Sequence, residues 1–147
     1  MPAAFTIRVL AWPEALPLAR PVREQVFVEE QKVPRELELD EWDERCEHAV
    51  ACDSRGEAIG TARLLPDGRI GRMAVLGEWR RRGVGSALLE ALLERARKRA
   101  IRRITLHAQT HAAAFYRRFG FNEQGEEFLE AEIPHVEMTL ELFPARG

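Results

Sequence analysis

Apolar and polar positions alternate at the start of the chain. Phe5, Ile7 and Val9 share one side, and Leu10 to Trp12 extend the run, the period-two pattern of a half-buried strand. Pro13 then opens a helical stretch that Pro17 and Pro21 interrupt, and Pro21 suits the first turn of a second helix. There Val22, Val26 and Phe27 recur at helical spacing as far as Gln31. Val33-Pro34 ends it, because the residue before a proline avoids helical backbone. Residues 36–47 are acidic and read mostly as loop. Strand patterns at 48–52, 58–64 and 70–75 are separated by the turn sequences Asp53-Ser54-Arg55-Gly56 and Pro66-Asp67-Gly68, which predicts an antiparallel meander.

The period then changes. Val84, Leu88, Leu92 and Ala96 form one stripe with Leu89 and Leu93 beside it, while Glu90, Glu94, Arg95, Arg97 and Lys98 take the other face. This predicts an amphipathic helix over 84–100. The apolar run 104–108 is short, as a buried strand should be. Strand 70–75, the helix and strand 104–108 make a β-α-β unit, so the two strands should be parallel with a right-handed crossover. A short helix over 111–119 follows, then two strands between 121 and 143 that turn around Ala131 to Pro134. The expected fold class is α/β. It has one domain over 1–147 and a mixed, mostly antiparallel sheet of about seven strands with helices on both faces.

Chemistry concentrates where the strand at 70–75 meets the long helix, at Arg80-Arg81-Arg82-Gly83-Val84-Gly85-Ser86. Two glycines one residue apart let a backbone turn tightly and gather its N–H groups. The helix dipole and three guanidiniums add positive potential. The stretch is a phosphate cradle. It is not the dinucleotide fingerprint, because Leu88 stands where the third glycine belongs, and it is not a nucleoside-triphosphate loop, because no lysine follows Gly85. What remains, Arg80-x-x-Gly83-x-Gly85, resembles the pyrophosphate loop of the GNAT superfamily of N-acyltransferases. The flanking parts agree in order and spacing: Ile70 to Val75 before the loop, Arg103 to Ala108 after its helix, then Ala112 to Phe121 with a tyrosine and a closing Gly-Phe. On these four parts the chain is identified as a member of that superfamily.

The resemblance implies acetyl-coenzyme A as co-substrate and no metal. It places the pantetheine arm between the two parallel strands, against backbone of Met73, Ala74 and Val75, with an N–H of Ala74 or Val75 facing the thioester oxygen. The cofactor set is completed by Arg80, Arg81, Arg82, Gly83, Val84, Gly85 and Ser86; the N–H groups of residues 81–86 would hold the pyrophosphate, with Arg80 and Arg81 nearby. Gln109 stands where many members keep an asparagine. Tyr116, the chain's only tyrosine, falls where many members keep the acid that protonates the leaving thiolate. A phenol with a pKa of about 10 stays protonated at neutral pH and can donate; the competing reading is a packing aromatic beside Phe115 and Phe119. For the base that deprotonates the amine, Glu30 is the first candidate and His135 the second. The segments Arg23 to Gln31 and Ile133 to Met138 resemble the acceptor-side helix and C-terminal strand of a small bacterial subgroup. His107 and His111 receive no role. The implied activity is acetyl transfer to the primary amine of a small molecule by direct attack. The alternatives are an acyl-CoA sensor without turnover and an acetyltransferase for protein N-termini or lysines. A homodimer is a further implication, through the C-terminal strands.

Composition narrows the partners. A net charge of −2 and the lack of aromatics interleaved with the basic runs argue against nucleic acid. No apolar run reaches membrane-spanning length. Acidic residues gather at Glu29 to Glu47, facing a basic ligand loop, which suits a cationic amine. Cys46 and Cys52 form neither a disulfide framework nor a metal motif and are read as reduced thiols of a cytoplasmic protein. The first residues lack the features of a signal peptide.

Overall fold

Strands β1 (Phe5–Leu10), β2 (Glu47–Asp53), β3 (Ala58–Leu64), β4 (Arg69–Val75), β5 (Arg103–Gln109), β6 (Asn122–Glu130) and β7 (Ile133–Glu141) form one seven-stranded sheet in the order β1-β2-β3-β4-β5-β7-β6. The computed structural model describes residues 4–38 and 40–143. The first three residues, read above for targeting features, lie outside that range. All strand neighbours are antiparallel except β4 and β5, which run parallel. The mixed sheet and its parallel pair are those expected from the pattern.

The long helix α3 (Val84–Lys98) packs one face of the sheet through Val84, Leu88, Leu89, Leu92, Leu93 and Ala96, all buried. Gly60 in β3 allows this approach: a Cβ there would come within 2.9 Å of Val84 Cγ1 and 3.1 Å of Leu88 Cδ1. The other face is covered by α1 (Trp12–Arg23), whose Ala15 packs on Val50 and Cys52 and whose Val22 packs on Ala74.

Two expectations for this face need correction. The prolines do not interrupt α1, which runs unbroken to Arg23. Pro13, Pro17 and Pro21 are spaced by four and all lie on its exposed edge. The carbonyls that lose their donors therefore face water, while Ala15, Ala19 and Val22 stay buried. After Arg23 the helix widens into a π turn over Glu24–Glu30, with Gln31 N–H donating to the Val26 carbonyl at 3.1 Å. The acidic stretch is not simply loop either. It holds a helical turn α2 (Arg35–Glu38) and a 3₁₀ turn (Glu41–Arg45). Near the carboxyl end the helix expected over 111–119 is a 3₁₀ turn (Thr110–Ala112) followed by a short α4 (Ala113–Arg117).

Glu38 and Asp43 from this acidic segment are buried against Arg23, which is 0% exposed. Arg23 Nε donates to Glu38 Oε1 at 2.5 Å, and its two Nη atoms donate to the Asp43 carboxylate at 2.8 and 3.1 Å. Arg63 of β3 donates to Asp43 at 2.9 Å and to both Asp40 oxygens at 2.6 and 2.8 Å. Burial alone would push the Asp43 carboxyl up. The Arg23 and Arg63 guanidiniums outweigh it and hold the group below the usual carboxylate value. Breaking such a network leaves an unpaired buried charge. Arg23→Met, which strands Glu38 and half of Asp43's partners, is expected to lower stability by roughly 3–5 kcal/mol, read from the urea midpoint. A change under about 1 kcal/mol, the size of an exposed pair, would mean that the network does not hold this segment down.

Candidate active site

The site begins where β4 and β5 part. They pair only at Arg69 with Thr105 and Ile70 with Leu106. Beyond Ile70, β4 carries one extra residue relative to β3: Arg63 pairs with Gly71 but Thr61 pairs with Ala74. This is a β-bulge, with Arg72 at φ +50°. The bulge swings the end of β4 away from β5.

The register shows which backbone groups face the resulting gap. Leu76 N–H donates to the Ile59 carbonyl at 2.9 Å, so this is a hydrogen-bonded pair, and by two-residue alternation Ala74 and Thr61 are another. Val75 lies between them and directs its N–H and C=O away from β3, into the gap. Its carbonyl accepts from Arg80 Nε at 2.9 Å. Of the two residues named from sequence for the N–H, Val75 is the one whose N–H faces the gap.

A groove of about 1360 Å³ runs through the gap, larger than the roughly 300–1,000 Å³ of ordinary ligand pockets. At one end lie Arg81, Gly83, Gly85 and Ser86. Gly83 caps α3 at φ +84°, and a Cβ there would meet nothing within 4 Å. The space over the helix N-terminus is open, as a phosphate cradle requires. Arg81 is also left-handed, at φ +63°, a strained setting for a residue with a Cβ and common at ligand clamps. Gly85 does not turn the chain. It sits inside the first turn of α3, and a Cβ there would make ordinary contact with Phe115 at 3.6 Å. Val84 is a core side chain, and the Arg82 guanidinium lies 5.1 Å over Trp79. For these two, only the backbone remains for the role expected. Arg80 turns toward Glu30, donating to its Oε2 at 2.9 Å.

Tyr116 lines the groove from α4. Its ring packs edge-on against Phe115 and Phe121, and its hydroxyl donates to Met73 Sδ at 3.6 Å. Burial pushes the phenol up to about 12. The ring packs as the aromatic reading expected, and the hydroxyl reaches the lip of β4. Gln109 donates to Gln31 Oε1 at 2.9 Å, and His111 Nε2 contacts Gln109 Oε1 at 2.7 Å, so Gln109 joins the β5 end to the segment after the π turn.

The far side of the groove was not legible as a unit. His107 of β5 pairs with Glu137 and Gln109 pairs with His135 across β5 and β7, while Phe128 of β6 pairs with His135. Paired positions share a face, so the register brings His107, Phe128, Glu130 and His135 together. Glu130 Oε1 accepts from His107 Nδ1 at 2.9 Å, and its Oε2 lies 3.6 Å from His135 Nε2. Trp42, Arg63, Arg69 and Arg72 line the remaining end. The acidic segment offers little free negative charge there, because Asp40 is tied to Arg63 and Arg72. Arg63 in an apolar strand and the density of carboxylates at 36–43 were the available signals. Among the described residues no group of three or more His, Cys, Asp or Glu side chains could hold a metal. No described helix is long and apolar enough to cross a membrane.

The chain also resembles known proteins in sequence and in overall fold. The acetyltransferase (GNAT) domain model matches residues 15–142. The chain belongs to the GNAT acetyltransferase family. The uncharacterized N-acetyltransferase YjcF of Bacillus subtilis is 40% identical over 121 residues, covering 80% of this chain and 86% of YjcF. Among solved structures, an acyl-CoA N-acyltransferase from Pseudomonas aeruginosa is 32% identical with a TM-score of 0.79, covering 93% of this chain and 98% of its own. Escherichia coli ElaA is 29% identical with a TM-score of 0.83, covering 92% and 99%. As a GNAT protein the chain is an acyltransferase whose family draws its acyl group from an acyl-CoA.

Because Tyr116 is the only tyrosine, tyrosinate absorbance reports on it alone. Alkaline titration is expected to give a midpoint near 12, so the phenol keeps its proton throughout neutral and mildly alkaline conditions. A midpoint at the ordinary value of about 10 would mean a hydroxyl open to water.

Proposed function

We propose that this protein transfers an acetyl group from acetyl-coenzyme A to the primary amine of a small molecule, by direct attack of the amine on the thioester. The observation that carries the reading is the two-residue β4–β5 pairing, which leaves the Val75 backbone facing a groove that ends on the open α3 N-terminus. The N–H groups of residues 81–86 would hold the pyrophosphate, with Arg81 beside them. Backbone of Met73 to Val75 would pair with the pantetheine arm. The bound thioester supplies the acyl group and the leaving sulfur. Val75 N–H is aimed to stabilise charge on the thioester oxygen. Tyr116 donates the proton to the sulfur; its hydroxyl already donates to a sulfur, that of Met73.

For the proton acceptor we favour His135 over Glu30. The Glu30 carboxylate is taken by Arg80. His135 lines the groove and uses Nδ1–H to donate to the Ile133 carbonyl at 2.6 Å. A carbonyl only accepts, so the neutral ring carries its proton on Nδ1 and leaves Nε2 free to take one.

Thiol release from acetyl-coenzyme A, measured with a panel of small primary amines, tests the activity. Turnover with at least one amine is expected. Tyr116→Phe should then lower kcat roughly 100-fold while acetyl-coenzyme A affinity is retained. Binding without thiol release for every amine would favour a sensor instead. Gly83→Val puts a branched side chain into the cradle at a positive φ, and is expected to abolish acetyl-coenzyme A binding in calorimetry. Unchanged affinity would remove the loop from the site.

A further inference from the structure

The β6–β7 hairpin joins Glu130 to Ile133 by a two-residue turn. Its two turn residues, Ala131 and Glu132, have φ of +50° and +64°. This is the backbone of a tight hairpin that glycine or asparagine usually supplies. Non-glycine residues held there are strained, and strain of this kind collects at functional positions. The turn fixes Glu130 directly opposite Ile133, and Ile133 is the residue whose carbonyl holds His135 Nδ1. The strained turn therefore sets a carboxylate and an imidazole of fixed tautomer side by side at the groove.

We propose that Glu130 is a positioning residue that acts through His135: it faces the Nε2 atom that receives the acceptor's proton and balances the imidazolium that forms. The inference rests on the proposed amine acetyl transfer with His135 as proton acceptor. His135 is almost fully buried, with 8% of its side chain exposed, whereas Glu130 is half exposed. A buried ring that becomes charged needs a counter-charge. Glu130 is the carboxylate in ion-pair range of Nε2, at 3.6 Å. His107 holds the other Glu130 oxygen at 2.9 Å. It lies between two carboxylates, since its own Nε2 is 3.8 Å from Glu137. Phe128 stacks on His135 with ring centres 6.0 Å apart, which limits ring rotation. The groups facing His135 are thus Glu130 and Phe128 from β6 and Gln109 from β5, with His107 and Glu137 one step further along the face.

The proton balance closes. An acceptor ammonium loses two protons in becoming a neutral amide. The first goes to His135 Nε2 and frees the lone pair. The nitrogen attacks the thioester carbon, the C–S bond breaks, and the nitrogen sheds its second proton. Tyr116 gives its proton to the sulfur and takes the nitrogen's second proton in return, and the first proton passes from the imidazolium to solvent. Glu130 neither gains nor loses a proton in the cycle.

The test compares wild type, Glu130→Gln, His135→Gln and the double variant, using acetyl-coenzyme A and the fastest amine of the panel. Glu130→Gln is expected to reduce kcat roughly tenfold, less than the roughly 100-fold loss on removing a proton-transfer group, with acetyl-coenzyme A affinity unchanged. The double variant should turn over no more slowly than His135→Gln alone. Glu130→Ala, at a half-exposed site, gives a readout independent of whether His135→Gln folds: formate should restore its turnover, and chloride at equal ionic strength should not. Wild-type rates in Glu130→Gln, multiplicative losses in the double variant, or no recovery with formate would overturn the proposal. No turnover by wild type with any amine of the panel would overturn the proposed small-amine acetyl transfer on which it rests.

Discussion

A continuous sheet would close the space that this protein keeps open. One extra residue in β4, with Arg72 held left-handed, limits β4–β5 pairing to two positions. The remaining edge of β4 faces the groove instead of a strand. An exposed strand edge is a template for another extended chain, and here it is flanked by sheet on both sides. The β-α-β crossover then carries the chain through α3 and brings that helix's N-terminus to the end of the same opening. Cradle, gap and Tyr116 are consequences of where β4 and β5 separate. Contact of Phe115 with the first turn of α3 carries Tyr116 to the same place.

The second constraint is the ion network at the end of the groove lined by Asp40, Trp42, Arg63 and Arg72. Three arginines from α1, β3 and β4 meet three carboxylates of the 38–43 segment. Such a set adds little net stability compared with an apolar core of equal volume. It does fix one arrangement, because each buried charge is matched by an opposite one. The wall of the groove formed by Glu38, Asp40 and Trp42 is therefore set by charge matching, and the π turn and Gln31 are set by packing of Val22, Val26 and Phe27 on Ala74 and Leu76.

Much of the fold was legible because its elements carry clean periods. The α3 stripe, the meander and the parallel β4–β5 pair follow from residue spacing. That the loop, Met73 to Val75 and Tyr116 line one groove was expected from a motif with ordered flanks. What the chain pattern concealed has physical reasons. Proline reads as a helix breaker unless its neighbours in the turn are known, and only the helix axis reveals that Pro13, Pro17 and Pro21 share a solvent edge. Acidic residues read as solvated until a partner is found, and Arg23 lies 15 residues from Glu38 and 20 from Asp43. Glu130 gave no signal at all. Its meaning depends on β5–β7–β6 register, which places His107 beside a residue 23 positions away. Arg82 and Val84 belong to the motif by position, yet their side chains serve Trp79 and the core.

The reading depends on Val75 presenting its backbone to the gap and on a pantetheine arm filling it. Amide hydrogen exchange at Val75, followed by NMR with and without saturating acetyl-coenzyme A, addresses this directly. A gap-facing amide should exchange readily in the free protein and become protected when the arm pairs with β4. Protection confined to Met73 to Val75 and the loop at residues 81–86 is the expected result. Binding that leaves Val75 exchange unchanged would place the co-substrate elsewhere and contradict the assignment of the gap.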